Sequence, residues 1–143
     1  MREFTRQRAH SLIELLIVLS MIGILMAIAI PRSLHVLDRI AVHSAAGDVA
    51  ATLSAARTLA LAGQSAVAVH VDAGSGLLRV QRGPELVLTR NIGEAHGVAL
   101  HGTRDSLAFD GWGLGAGAAN LSITVRRRAA AETVFVSRLG RVR

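Results

Sequence analysis

The sequence predicts an α+β fold: one long N-terminal helix, membrane-spanning in its first half, packed against a C-terminal antiparallel β-sheet domain. Three observations carry this. Leu12 to Ile30 is an almost unbroken apolar run. From Leu34 to Ala60 apolar residues recur at spacings of three and four, the mark of one helical face. Beyond Ala66 the period drops to two, and short strand-like segments follow one another to the end of the chain, so a sheet has to form and pack on that helix.

Composition bounds what such a chain does. Its 143 residues suffice for one small domain beyond a membrane anchor. Cysteine is absent, which excludes disulfides, thiolate metal sites and a cysteine nucleophile. All 16 basic residues are arginine, and with 10 acids the formal charge is +6. Arg2, Arg6 and Arg8 against Glu3 supply +2 of this (3 − 1), which leaves +4 elsewhere, a mild excess that does not by itself demand nucleic acid. The aromatic residues are Phe4, Phe109, Trp112 and Phe135, too few for an extended stacking platform on single-stranded nucleic acid.

Residues 1–9 form a short basic leader, and positive charge ahead of a first span keeps that end cytoplasmic and sends the rest across. Residues 10–31 contain the span: about 19 apolar residues at roughly 1.5 Å each just cross a bilayer core. Glu14 stands at the front of this run. A carboxylate in hydrocarbon costs several kcal/mol unless a cation meets it, so Glu14 is a functional candidate. Ala27-Ile28-Ala29 offers an ordinary signal-peptidase site, and an uncleaved anchor is a second reading; neither gives Glu14 a purpose.

Pro31 predicts a bend rather than a stop. Residues 32–63 continue as an amphipathic helix whose face is Leu34, Leu37, Ala41, Ala45, Val49, Leu53, Ala56 and Ala60, with Arg32, Asp38, Arg39, Asp48 and Arg57 largely off it. Gly63 is the stop, and the whole helix, from about Ser11 to Ala62, is roughly 75–80 Å long. Residues 64–143 are the β domain. Ala66–Val71 and Leu77–Arg82 flank the turn Ala73-Gly-Ser-Gly76; Glu85–Arg90, Val98–His101, Leu107–Phe109, Leu121–Val125 and Thr133–Ser137 are further strands. Arg126 to Glu132 is read as the turn between the last two, its arginines a solvated tip.

Catalytic chemistry finds no foothold. The histidines, His10, His35, His43, His70, His96 and His101, lack metal-ligand spacing. Gly74-Ser75-Gly76 lacks the setting of a nucleophile elbow, and the glycines from Gly111 to Gly117 precede no phosphate-binding helix. Asp105 and Asp110 read as turn caps. No enzyme activity, cofactor or metal is expected.

Ala9-His10-Ser11-Leu12-Ile13-Glu14-Leu15-Leu16-Ile17-Val18, closed by Ile28-Ala29-Ile30-Pro31, resembles the class III signal of type IV pilins and type II secretion pseudopilins. The resemblance implies cleavage between Ala9 and His10 by a prepilin peptidase, methylation of the His10 amine, and pairing of Glu14 with the amine of a neighbouring subunit in a filament. The family usually has glycine before the cut and phenylalanine after it; Ala9 and His10 depart from this. Phe109-Asp-Gly-Trp-Gly113, Leu121–Val125 and Val134–Arg143 are similar to the GspH/FimT group of minor pseudopilins and pilins. That likeness implies a minor pseudopilin of a type II secretion system in the bacterial inner membrane, its C-terminal domain periplasmic and its partners other pseudopilins or pilins. It also implies an alternative. Some FimT-type pilins bind DNA for uptake through a C-terminal Gly-Arg-x-Arg motif, which Gly140-Arg141-Val142-Arg143 matches; Arg126, Arg127, Arg128 and Arg138 are the other basic candidates.

Overall fold

A computed structural model describes residues 12–116 and 120–143. Two compact units divide the chain, Met1–Leu34 and His35–Arg143. Helix α1 spans Leu12–Gly63 and runs through Pro31 without stopping. In the first unit its large apolar side chains from Leu12 to Ile30 stand 43–76% exposed, and this stretch is long and apolar enough to cross a membrane. Pro31 lacks a donor for the carbonyl one turn back.

The second unit is built on the rest of α1. Its buried stripe is Asp38, Val42, Ala45, Ala46, Val49, Thr52, Leu53, Ala56 and Ala60. The alanines matter because a methyl-sized side chain lets β strands approach the helix closely without leaving voids. At the stripe's start the expected face is corrected. Leu34 and Leu37 are 47% and 58% exposed, whereas Asp38 is 3% exposed. A carboxylate displaces leucine from the buried side because its cations lie there, as described below.

The antiparallel β domain comes as two sheets. Strands β1 (Val67–Asp72), β2 (Leu77–Arg82), β3 (Glu85–Asn91), β5 (Ser106–Phe109) and β6 (Gly115–Ala116) form one, in the order β3-β2-β1-β5-β6. Strands β4 (Ala99–Gly102), β7 (Leu121–Arg127) and β8 (Ala130–Val136) form the other, in the order β4-β7-β8. Inward rows alternate as a half-buried strand requires: Val67, Val69 and Val71; Leu78 and Val80; Leu107 and Phe109; Leu121, Ile123 and Val125; Val134 and Val136. Together with the stripe of α1 they make one core.

A short helix absent from the sequence-based expectation, α2 (Ile92–His96), follows β3. Asn91 caps it by accepting from the Glu94 amide at 3.1 Å while its own amide donates to the Glu94 carboxylate at 2.6 Å, and Gly97 closes it in the left-handed conformation. α2 is seated on the β1–β2 turn, where the Gly76 carbonyl accepts from the Ile92 and Gly93 amides at 3.0 Å. Gly76 has φ 68, and a Cβ there would lie 2.5 Å from Gly93 Cα.

The same turn holds an acid-sensitive contact. The Ser75 hydroxyl and amide, helped by the Gly74 amide and the Arg79 guanidinium, hold the Asp72 carboxyl below its ordinary value of 3.8, against the opposing effect of desolvation. Because the folded-state value is depressed, its contribution is present above the ordinary carboxylate value and is lost as pH falls through the lowered one. Asp72→Asn is therefore expected to be less stable than the parent at neutral pH and to converge with it in acid. Urea unfolding across pH 2–6 reads this; a constant gap throughout counts against it.

Candidate functional site

The register of the three-stranded sheet decides what each C-terminal arginine does. Leu121↔Val136, Ile123↔Val134, Val125↔Glu132 and Arg127↔Ala130 pair on the inward rows, and Ser122↔Phe135, Thr124↔Thr133 and Arg126↔Ala131 on the outward ones. β7 thus extends through Arg126 and Arg127, and the turn to β8 is only Arg128-Ala129.

Parity sends Arg127 toward the helix, and Asp38 answers it. Arg127 Nε lies 3.0 Å from Asp38 Oδ1, and Arg128 Nη1 lies 3.1 and 3.2 Å from the two carboxylate oxygens. The Asp38 side chain is 4% exposed, those of Arg127 and Arg128 35% and 66%. Arg127 Nη1 also donates to the His96 carbonyl at 2.8 Å. Two further pairs tie the same sheet and α2 to α1: Glu132 with His43 at 3.2 Å, and His96 with Asp48 at 2.8 Å. Arg127 and Arg128, expected in a solvated tip, have their guanidinium groups committed to a helix carboxylate.

Arg126, Arg141 and Arg143 have another setting. After β8 the chain turns at Ser137–Gly140, the Gly140 amide donating to the Ser137 carbonyl at 2.9 Å. It then runs back along β8. Phe135 and Arg143 exchange backbone hydrogen bonds at 2.8 and 2.9 Å, the Ser137 amide donates to the Arg141 carbonyl at 2.9 Å, and Val142 bridges Val136. Opposed residues share a face. Val142 therefore packs inward on the core, while Arg141 and Arg143 project outward beside Ser137 and Phe135. The Arg-x-Arg spacing is the strand period. Arg126 lies on the same outer face, and the one acid among β4, β7, β8 and residues 141–143, Glu132, is on an inward row. Arg138 is exposed in the turn, and its carbonyl accepts from the Gly115 amide at 2.9 Å, linking the turn to β6.

A pocket of about 330 Å³ opens on this face, lined by Asn120, Phe135, Ser137, Leu139, Arg141 and Arg143, with Val136 behind. Asp110 caps the preceding loop, its Oδ1 accepting from the Trp112 and Leu114 amides at 2.9 Å. Glu14 sits in the first turn of α1, whereas Ala9 and His10 lie outside the described residues.

The family model for the prokaryotic N-terminal methylation motif matches residues 4–30. No curated protein sequence matches the chain. Two crystal structures of the type IV minor pilin FimU from Pseudomonas aeruginosa strain PAO1 share its fold. One has a TM-score of 0.63 at 16% identity, covering 71% of this chain and 86% of that one. The other, in a second crystal form, has a TM-score of 0.60 at 14% identity, covering 71% and 90%. The chain thus carries the prokaryotic N-terminal methylation motif over residues 4–30 and has the fold of the type IV minor pilin FimU.

Proposed function

We propose that the chain is a minor pseudopilin of a type II secretion system, a structural subunit of a periplasmic pseudopilus anchored in the inner membrane. The observation that supports this best is the first part of α1, whose large apolar side chains stand 43–76% exposed with Glu14 in the first turn. Lipid covers such a surface before assembly, and neighbouring copies of the same helix cover it in a filament core. Prepilin peptidase cuts between Ala9 and His10 and methylates the new amine, which meets Glu14 of an adjacent subunit. Residues 1–9 are the leader, 10–31 the span, 32–63 its amphipathic continuation and 64–143 the periplasmic β domain.

Mass spectrometry of the N-terminus after co-expression with a prepilin peptidase tests this. The expected mature chain starts at His10, and Glu14→Gln is cleaved normally yet fails to co-purify with the other filament subunits. A chain starting at Ile30, or an intact Met1, counts against the reading.

One observation favours a second reading, a type IV minor pilin that binds DNA. Arg126, Arg141 and Arg143 share a sheet face without an acidic side chain, an arrangement suited to phosphates read without regard to sequence.

A further inference from the structure

Phe135 is out of keeping with the face it occupies. The outward rows of β7 and β8 are otherwise serine, threonine, alanine and arginine, yet this phenylalanine stands 55% exposed among them. Directly opposite it is Arg143. Leu139, 67% exposed, supplies a second apolar wall of the pocket, Asn120 a carboxamide able to donate and accept, and Arg141 and Arg143 the cations. A solvated face gains nothing from a bare aromatic ring. A face that receives a flat apolar group attached to an anion does.

We propose that this pocket receives one unstacked nucleobase, stacked on Phe135, with its flanking phosphates on Arg141 and Arg143, so that the protein prefers single-stranded to duplex DNA; this rests on the DNA-binding reading above. The preference follows from access. In a duplex the bases are stacked and paired inside, and a protein face meets phosphates first. The ring of Phe135 stands 55% exposed, and a base turned out from a single strand can lie flat on it, whereas a duplex keeps its bases stacked on one another. Charge complementarity argues for an anion, and the exposed ring of Phe135 in the pocket lining argues for a planar group on that anion. A single ring makes one slot rather than a track, in keeping with the scarcity of aromatic residues in the sequence.

The test uses the full chain in detergent micelles and three fluorescein-labelled probes: a short oligo-dT strand, a duplex of equal length and an abasic strand of equal length. The single strand is expected to bind about tenfold tighter than the duplex, and the abasic strand to lose that advantage. Phe135→Leu, which keeps the apolar bulk, and Phe135→Ala are each expected to weaken oligo-dT binding about tenfold and duplex binding by less than about twofold. The double variant Arg141→Ala/Arg143→Ala weakens all three. Equal affinity for strand and duplex, insensitive to Phe135 but lost without the arginines, overturns the base slot and leaves the DNA reading standing. Absence of binding to any of the three probes overturns both. Phe135-dependent binding of an acidic, aromatic peptide with none of DNA assigns the pocket to a protein partner and overturns the proposal as well.

Discussion

Asp38→Ala is expected to destabilise the protein by about 2–3 kcal/mol and to lower its melting temperature by about 10 °C. Removing one partner of a buried ion pair costs about 3–5 kcal/mol when the remaining charge stays buried. Here the loss is smaller, because the Arg128 side chain is 66% exposed and rehydrates. Arg127 does not escape so easily: its side chain is 35% exposed and continues an inward row of β7. The same carboxylate also steadies the β7–β8 turn. Arg128 has φ 50, a conformation that costs a non-glycine residue about 1–2 kcal/mol.

Two controls set the scale. Glu132→Ala and Asp48→Ala remove the acids of the His43 and His96 pairs, whose carboxylate side chains are 43% and 58% exposed; each is expected to cost about 1 kcal/mol or less. The combination Asp38→Leu/Arg127→Met, which removes the buried carboxylate and the half-buried guanidinium together, is expected to recover most of the loss. Thermal and urea unfolding followed by circular dichroism read all four variants. If Asp38→Ala costs no more than Asp48→Ala, the carboxylate is effectively solvated and its burial carries no energetic weight.

This clamp also marks where the sequence is hard to read. The helix ends at Gly63 as its composition predicts, and the strand segments fall within a few residues of their observed limits, because period and turn residues are local signals. At Leu34, Leu37 and Asp38 the hydrophobic pattern misleads, since it assigns leucine inward and aspartate outward and the structure has the reverse. The partners that reverse this assignment lie 90 residues away for Arg128. Even so, one trace was present. Leu121-Ser-Ile-Thr-Val-Arg126 alternates strictly, and extending that alternation puts Arg127 on the buried row, where it needs an acid. α2 was legible too: Asn91-x-x-Glu94 followed by Gly97 is a capping box with a glycine stop. The return of residues 141–143 along β8 was not, because a three-residue strand has too little pattern to register. Its signal, Arg-Val-Arg beside Val-Phe-Val, has meaning only once β8 is in place.

Gly140→Ala is the other change with a large expected effect, about 3 kcal/mol, and its consequence reaches the outer face. Gly140 has φ 70, and a Cβ there would press on the Gly113 carbonyl oxygen and lie 2.9 Å from Arg57 Nε. Neither neighbour is free to retreat, since Arg57 Nε donates to that same carbonyl at 2.9 Å and Gly113 itself has φ 71. The turn therefore lifts, and with it the strand that follows: Phe135 and Ser137 lose their hydrogen bonds to Arg143 and Arg141, and Val142 leaves Val136. Gly83→Ala separates strain from crowding. Gly83 also has positive φ, 56, but nothing lies within 4 Å of its added Cβ, so only the backbone cost of about 1–2 kcal/mol applies. Amide exchange at Phe135 and Ser137 is expected to rise sharply in Gly140→Ala and to stay at the parental level in Gly83→Ala. If the two variants lose equal stability and Phe135 stays protected, residues 141–143 are held without Gly140. If the exchange rises as expected, the glycine before Arg-x-Arg holds both arginines on one face, because without that turn the strand that sets their period is gone.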